Sequence, residues 1–133
     1  MAISLTISTK ELERQAIAAF QGKTYKVFLA LNTTSLTAES NTAAWEGIEC
    51  SGGGYAAVTG TIAAGSYNAG NARYQMPVIT ASFTGSGAGI SYNTVCLKIG
   101  SELYLHSITT ENPSVLLAAG QSKVYSITLA QDD

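Results

Sequence analysis

The chain has 133 residues, carries a net charge of −2 and draws only 12% of its residues from Asp, Glu, Lys and Arg. That length suits one domain whose core needs neither disulfides nor a metal to hold it. Its basic residues, Lys10, Arg14, Lys23, Lys26, Arg73, Lys98 and Lys123, are scattered. This excludes the clustered footprint of a nucleic-acid or anionic-membrane binder. No stretch approaches the roughly 18 apolar residues of a membrane span.

An ordinary soluble domain has about twice this charged fraction, and charge is what keeps free monomers apart. A chain that does without it is expected to have much of its surface covered. Residues 1–8 show no basic region followed by an apolar run, so no secretory signal is expected. Synthesis in a reducing cytoplasm then leaves Cys50 and Cys96 as free thiols, both in apolar surroundings that suit small core residues. Their spacing alone leaves a disulfide open.

In chain order, Ile3-Ser-Leu-Thr-Ile7 alternates apolar and polar residues and reads as a short strand or extended arm over residues 1–8. Ser8 and Glu11 stand at capping-box spacing and open an amphipathic helix over about residues 9–20. Leu12, Ala16, Ala19 and Phe20 share its apolar face, and Gly22 is placed to end it. Residues 23–31 form a strand. Tyr25, Val27, Leu29 and Leu31 oppose Lys26, Phe28 and Ala30, and apolar groups on both sides predict a central strand covered on both faces. Residues 32–45 are a long polar loop with one helical turn, anchored by Trp45.

The Ser51-Gly-Gly-Gly-Tyr55 run marks a backbone that turns sharply or is closely approached. Residues 60–70 are linker or hairpin material. Residues 73–84 are strand-rich, with Pro77 marking an edge or bulge. Residues 90–99 form a strand that Gly100-Ser101 turns into a partner over 102–108. Asn112-Pro113 is a turn, 114–118 a short strand, and 123–129 the strand that closes the sheet. Short strands with a turn signal every ten residues or so predict a mainly β chain, an antiparallel β-sandwich of jelly-roll or Ig-like type with one N-terminal helix, as a single domain over 1–133.

Chemistry is thinly supplied. His106 is the one histidine, and Asp132 and Asp133, the only aspartates, end the chain. A catalytic histidine needs an orienting carboxylate or a nucleophile. Glu111 stands five residues on, but past the end of the strand. One His and two distant Cys do not make a zinc site. Asn68, Asn71 and Asn93 offer oxygens but no acidic calcium loop. Glu46 and Glu49, the nearest candidates for a glycosidase-like carboxylate pair, are assigned to a solvated or interface loop. The glycine run lacks the Gly-Lys-Ser/Thr ending of a phosphate loop. No catalytic, metal or cofactor residues are assigned. Most of the seven tyrosines fall in the β-rich part, where they suit sheet faces, interfaces or sugar stacking.

The order of pieces is more telling. A leading helix is followed by Tyr25-Lys-Val-Phe-Leu-Ala-Leu31, then Glu49-Cys-Ser-Gly-Gly-Gly-Tyr-Ala56, Val78-Ile-Thr-Ala-Ser-Phe83, Tyr92-Asn-Thr-Val-Cys-Leu-Lys-Ile-Gly100 and Ala119-Gly-Gln-Ser-Lys-Val-Tyr-Ser-Ile-Thr-Leu129. Over nearly the whole chain this resembles a family of small, tail-fibre-like virion structural proteins of tailed bacteriophages, including members from phages of cyanobacteria. Members usually carry Arg after the Ser-Gly-Gly-Gly-Tyr-Ala run, where this chain has Ala57.

The resemblance implies a non-enzymatic particle component without cofactor, metal, nucleic-acid or membrane partner. It would be a homo-oligomer packed against other virion proteins in the tail, fibre or baseplate region. A capsid-decoration protein and a carbohydrate-binding module are the alternatives. Candidate interface residues are Ile3, Leu5, Trp45, Gly52, Gly53, Gly54 and Tyr55.

Overall fold

The computed structural model describes residues 11, 14, 15, 18–68 and 73–129. The chain is mainly β. Its strands are β1 (Thr24–Ala30), β2 (Val58–Thr61), β3 (Ser66–Asn68), β4 (Arg73–Gln75), β5 (Ile79–Thr84), β6 (Ile90–Ile99), β7 (Ser107–Leu117) and β8 (Ser122–Ile127), with one short helix, α1 (Thr42–Glu46). It divides into two compact units, one from Met1–Lys23, Thr61–Ile79 and Ser126–Asp133, the other from Thr24–Gly60 and Thr80–Tyr125.

Within the first unit, Glu11, Arg14, Gln15, Ala18 and Ala19 have helical backbone. Ser8, Leu12 and Ala16, which the sequence assigns to the cap and apolar face, lie outside the described residues, as does the arm with Ile3 and Leu5. Gly22 follows with φ +79°. Its N–H donates to the Ile62 carbonyl, and Ile62 N–H to the Lys23 carbonyl, each at 2.9 Å. β3 and β4 pair antiparallel with Tyr67 opposite Tyr74, which realises the hairpin composition of residues 60–70.

The second unit is built on a four-stranded sheet in the order β2-β1-β6-β7. β1 is an interior strand, as its two apolar faces demand. Val27, Phe28, Leu29 and Ala30 are all fully buried. β6 matches the expected strand and pairs antiparallel with β1, Phe28 opposite Cys96 and Val27 opposite Leu97. Phe28, Ala30 and Cys96 form one core cluster with Trp45, against which Leu36, Ile48, Tyr55 and Ile108 pack.

α1 sits inside the long polar loop. Asn41 caps it, its side-chain oxygen accepting from Ala44 N–H at 2.8 Å, which satisfies a donor the first turn leaves open. Trp45 anchors the loop from within. It is 1% exposed, and its Nε1 donates to the Thr37 carbonyl at 3.1 Å.

Three expectations need correction. The return from β6 is not a tight hairpin, because residues 100–106 form a loop and β7 starts at Ser107. Asn112-Pro113 is no turn but a cis peptide within β7, near a register shift that leaves Tyr92 opposite Val115 and Thr94 opposite Thr110. β8 does not close the main sheet. It pairs with β5 in a separate two-stranded sheet, where Ile79, Ala81 and Phe83 are buried and Thr80, Ser82 and Thr84 exposed.

Candidate functional site

The polar side chains of the second unit converge on one face of β1 and β6. Lys26 and Lys98 are cross-strand partners there. Like charges directly opposite each other destabilise a sheet, so an acid must intervene. Glu46, at the end of α1, supplies it. Lys26 Nζ donates to Oε2 at 3.2 Å and Lys98 Nζ to Oε1 at 3.1 Å. Lys26 also donates to Glu49 Oε1 at 2.8 Å, and its ammonium lies 4.9 Å from the Phe28 ring centroid. All four charged side chains are only a fifth to a third exposed. Burial pushes the Glu46 carboxyl up, but the hydrogen bonds from Lys98 and Lys26 outweigh it and hold the pKa below 4.5. Desolvation works against charge on Lys26 too, and Glu49 and Glu46 reverse it, so its pKa is raised above 10.5. Glu46 and Glu49 are therefore not on a freely solvated loop.

Glu49 carries the site onward to the glycine turn. Tyr55 OH donates to Glu49 Oε2 at 2.5 Å and accepts from Leu29 N–H at 3.3 Å. Cys50 N–H donates to the Leu29 carbonyl at 2.8 Å. One residue's two main-chain groups are thus satisfied from the segment around the Ser-Gly-Gly-Gly-Tyr run, as buried backbone requires. Burial, then the hydrogen bond to Glu49, drives the Tyr55 phenol far above its ordinary range. Gly53 takes φ +59°, and a Cβ on it would stand 2.0 Å from the Gly89 carbonyl oxygen. Ser86 N–H donates to the Gly53 carbonyl at 2.8 Å. The glycine run is therefore a close backbone approach.

Beside it lies a shallow cleft of about 360 Å³ lined by residues such as Leu31, Ile48, Cys50 and Ile90. Cys50 Sγ donates to the Ser91 carbonyl at 3.3 Å. Both cysteines are free thiols. Desolvation, with the Glu49 charge, pushes Cys50 up to about 11 and Cys96 up to about 12.

A second polar chain links the two sheets of this unit. Tyr92 and Tyr125 share a hydrogen bond of 2.6 Å, and Tyr125 OH donates to Glu111 Oε1 at 2.9 Å. Phe83 meets Tyr125 edge-on and stacks with Tyr55. Glu111 is thereby tied to a phenol. His106 sits in the loop before β7, where its backbone N–H donates to the Leu97 carbonyl. Asn93, a candidate calcium ligand by composition, clasps Asn32 instead, accepting from its N–H at 2.8 Å and donating to its carbonyl at 2.9 Å.

Of the interface candidates, Gly52 and Gly54 are exposed, Gly53 and Tyr55 half-buried and Trp45 interior. Trp45 therefore offers no surface of its own, because its ring fills the core, and Ile3 and Leu5 lie outside the described residues. Tyr92 is also fully buried and unavailable for stacking on a sugar. The Lys26–Glu46–Lys98 arrangement escaped sequence reasoning, although one signal pointed to it. A lysine alternating with Phe28 and Ala30, or with Cys96, on an apolar face needs a carboxylate close by. Among the described residues, no group of three or more His, Cys, Asp or Glu is placed to hold a metal, and no helix is long and apolar enough to cross a membrane. No protein-family profile, curated protein or solved structure matches the chain.

Proposed function

We propose that this chain is a non-enzymatic structural component of a tailed-phage virion, working by burial of its surface against copies of itself and neighbouring subunits in the tail, fibre or baseplate region. The observation that carries the reading is that charged side chains are drawn into ion pairs within the fold while several large apolar ones stay exposed. Lys26, Lys98, Glu46 and Glu49 are consumed inside the fold, while Leu103, Tyr104, Leu116 and Val124 are 65%, 53%, 59% and 56% exposed. Single exposed apolar residues are ordinary. Exposed apolar residues on a chain with only 12% charged residues favour association. The engagement of Glu111 by Tyr125 and of Glu46 and Glu49 by lysines also supports structural rather than acid–base roles for these carboxylates.

The fold that goes with this role is a two-layer sandwich, with the β5–β8 ribbon as one layer and the four-stranded sheet as the other. The Tyr92–Tyr125 hydrogen bond and the edge contact of Phe83 with Tyr125 support that arrangement. An amphipathic N-terminal helix over about residues 9–20 belongs to the same reading, and the protein's place of work is the assembled particle. The test is the protein composition of purified virions from a phage encoding the chain, with antibody labelling to locate it. A stoichiometric band on the tail is expected. Labelling of the head would replace the tail assignment with capsid decoration, and absence from washed particles would overturn the reading.

A further inference from the structure

Residues 33–49 belong to no strand, yet they cover part of one face of the β1–β6 pair. Leu36, Trp45 and Ile48 of this segment pack with Phe28, Ala30 and Cys96 of the two strands. The segment is pinned at both ends. Asn93 clasps Asn32 at 2.8 and 2.9 Å, and Cys50 N–H donates to the Leu29 carbonyl at 2.8 Å. Between those pins, polar groups are served largely from within. Asn41 caps α1. Ser40 N–H donates to the Thr37 carbonyl, Gly47 N–H to Ala43 and Ile48 N–H to Trp45. Even the buried indole follows this pattern, since Trp45 Nε1 donates to the Thr37 carbonyl. A loop with fixed ends and its own hydrogen bonds can lift without orphaning them.

The ties that run across to other elements are few and polar. Thr42 N–H donates to the Leu103 carbonyl at 2.8 Å and Thr42 Oγ1 to the Glu102 carbonyl at 3.1 Å. Glu46 accepts from Lys26 and Lys98, and Glu49 from Lys26. We propose that residues 33–49 are a strap that opens from the β1–β6 face as one unit while the sheet stays folded, with the Glu46 carboxylate, bridging Lys26 and Lys98, as its acid-sensitive latch.

Ionised Glu46 holds both ammonium groups; protonated, it leaves two like charges opposed across the strands, which favours the open form. Burial pushes its carboxyl up, but the hydrogen bonds from Lys98 and Lys26 outweigh this and keep the closed-state pKa below 4.5. The latch is therefore whole above that range and is lost as pH falls through it. Other ionisable groups lie on the elements around it. Glu49 shares Lys26 and accepts the Tyr55 hydroxyl, Cys96 lies in the cluster with Trp45, the strap carries Glu39, and the loop that holds Thr42 carries Glu102, Tyr104 and His106. Substitution of Glu46 alone separates its part from theirs. Burial of Trp45 keeps the closed form dominant. The latch thus acts on a minor open population, whose mark is access to Cys96, 0% exposed when the strap is closed.

The test is the rate at which a pyridyl disulfide, which still reacts with thiols in acid, labels Cys96, divided by the rate in the unfolded chain at the same pH. Peptide mass spectrometry separates Cys96 from Cys50, and circular dichroism follows the sheet. At pH 7, Glu46→Gln should label at Cys96 about tenfold faster than wild type. Low urea should hardly change the wild-type rate, because a strap exposes little of the surface that unfolding exposes. In acid the wild-type rate should climb while the sheet signal holds, and the rate in Glu46→Gln should stay level. A Cys96 rate that tracks global unfolding in urea, or that climbs equally in wild type and Glu46→Gln, would overturn the strap and its latch. Should Glu46→Gln fail to fold, the wild-type series decides: no rise in Cys96 labelling below about pH 4.5 with the sheet intact would overturn the proposal.

Discussion

Lys26 and Lys98 face each other across β1 and β6, and a single carboxylate, Glu46, holds both ammonium groups. The helical turn that presents Glu46 is fixed in turn by Trp45 in the core below. A polar loop is thus tied to the sheet by one indole and one carboxylate on adjacent residues. Replacing Glu46 by Gln leaves two lysines opposed on a half-buried face. The expected loss is about 1–2 kcal/mol, measured by urea denaturation. In Glu46→Gln/Lys98→Met the like-charge conflict is gone, and part of that loss should return.

The same carboxylate makes stability pH-dependent. Its folded pKa lies below 4.5, so the folded state binds fewer protons than the unfolded chain near that value. The stabilisation is complete above the unfolded pKa and disappears as pH falls through the folded one. Denaturation midpoints should therefore drop below about pH 4.5 in the wild type. The drop should be shallower in Glu46→Gln.

Tyr55→Phe tests whether the glycine-run segment caps the sheet. The substitution keeps the ring that stacks on Phe83 and deletes the hydroxyl that serves Leu29 N–H and Glu49. An unsatisfied buried donor costs about 1–3 kcal/mol. The variant should lose that much stability, and the Leu29 amide should exchange its hydrogen faster. A variant as stable as wild type, with Leu29 still protected, would mean that water replaces the hydroxyl at no cost.

Much of this architecture was legible in the residues. β1 and β6 announce themselves by alternation on two apolar faces, and β5 by Ile79, Ala81 and Phe83 against small polar neighbours. The loop anchored by Trp45 also follows from local chemistry. What local chemistry hides is partnership. Asn112-Pro113 has turn composition, yet β6 carries the strand past it. The residues of β8 would suit either sheet, and only tertiary contacts assign them to β5. The candidate site was half legible. The Ser-Gly-Gly-Gly-Tyr run stood out as a sharp turn or a close approach, but nothing in its spacing names Gly89 as the neighbour or Leu29 as the group that Tyr55 satisfies.

Gly53 and Gly52 separate two reasons for glycine in that run. Both have positive φ, but a Cβ on Gly52 meets nothing within 4 Å, whereas on Gly53 it collides with the Gly89 backbone. Gly52→Ala should cost about 1 kcal/mol from left-handed strain alone. Gly53→Ala should cost more than about 2 kcal/mol, because backbone rather than a flexible side chain must move. Equal melting temperatures for the two variants would contradict the close approach.

The two thiols provide a probe of packing that needs no mutation. Thiolate is the reactive form, and burial pushes Cys50 up to about 11 and Cys96 up to about 12. At pH 8 both should react with a disulfide reagent far more slowly than a free thiol. Cys50, half-buried beside the cleft and bonded to the Ser91 carbonyl, should react ahead of Cys96, which is fully buried under Trp45 and Phe28. Two equivalents should appear once denaturant is added. The order also reports on the core, because Cys96 can be reached only when the Phe28–Trp45 cluster opens. Its labelling rate should therefore rise in Glu46→Gln, where the helix carrying Trp45 has lost one of its two ties to the sheet, while Cys50 changes less. Rapid labelling of Cys96 in the native wild type would show that this cluster is not closed in solution.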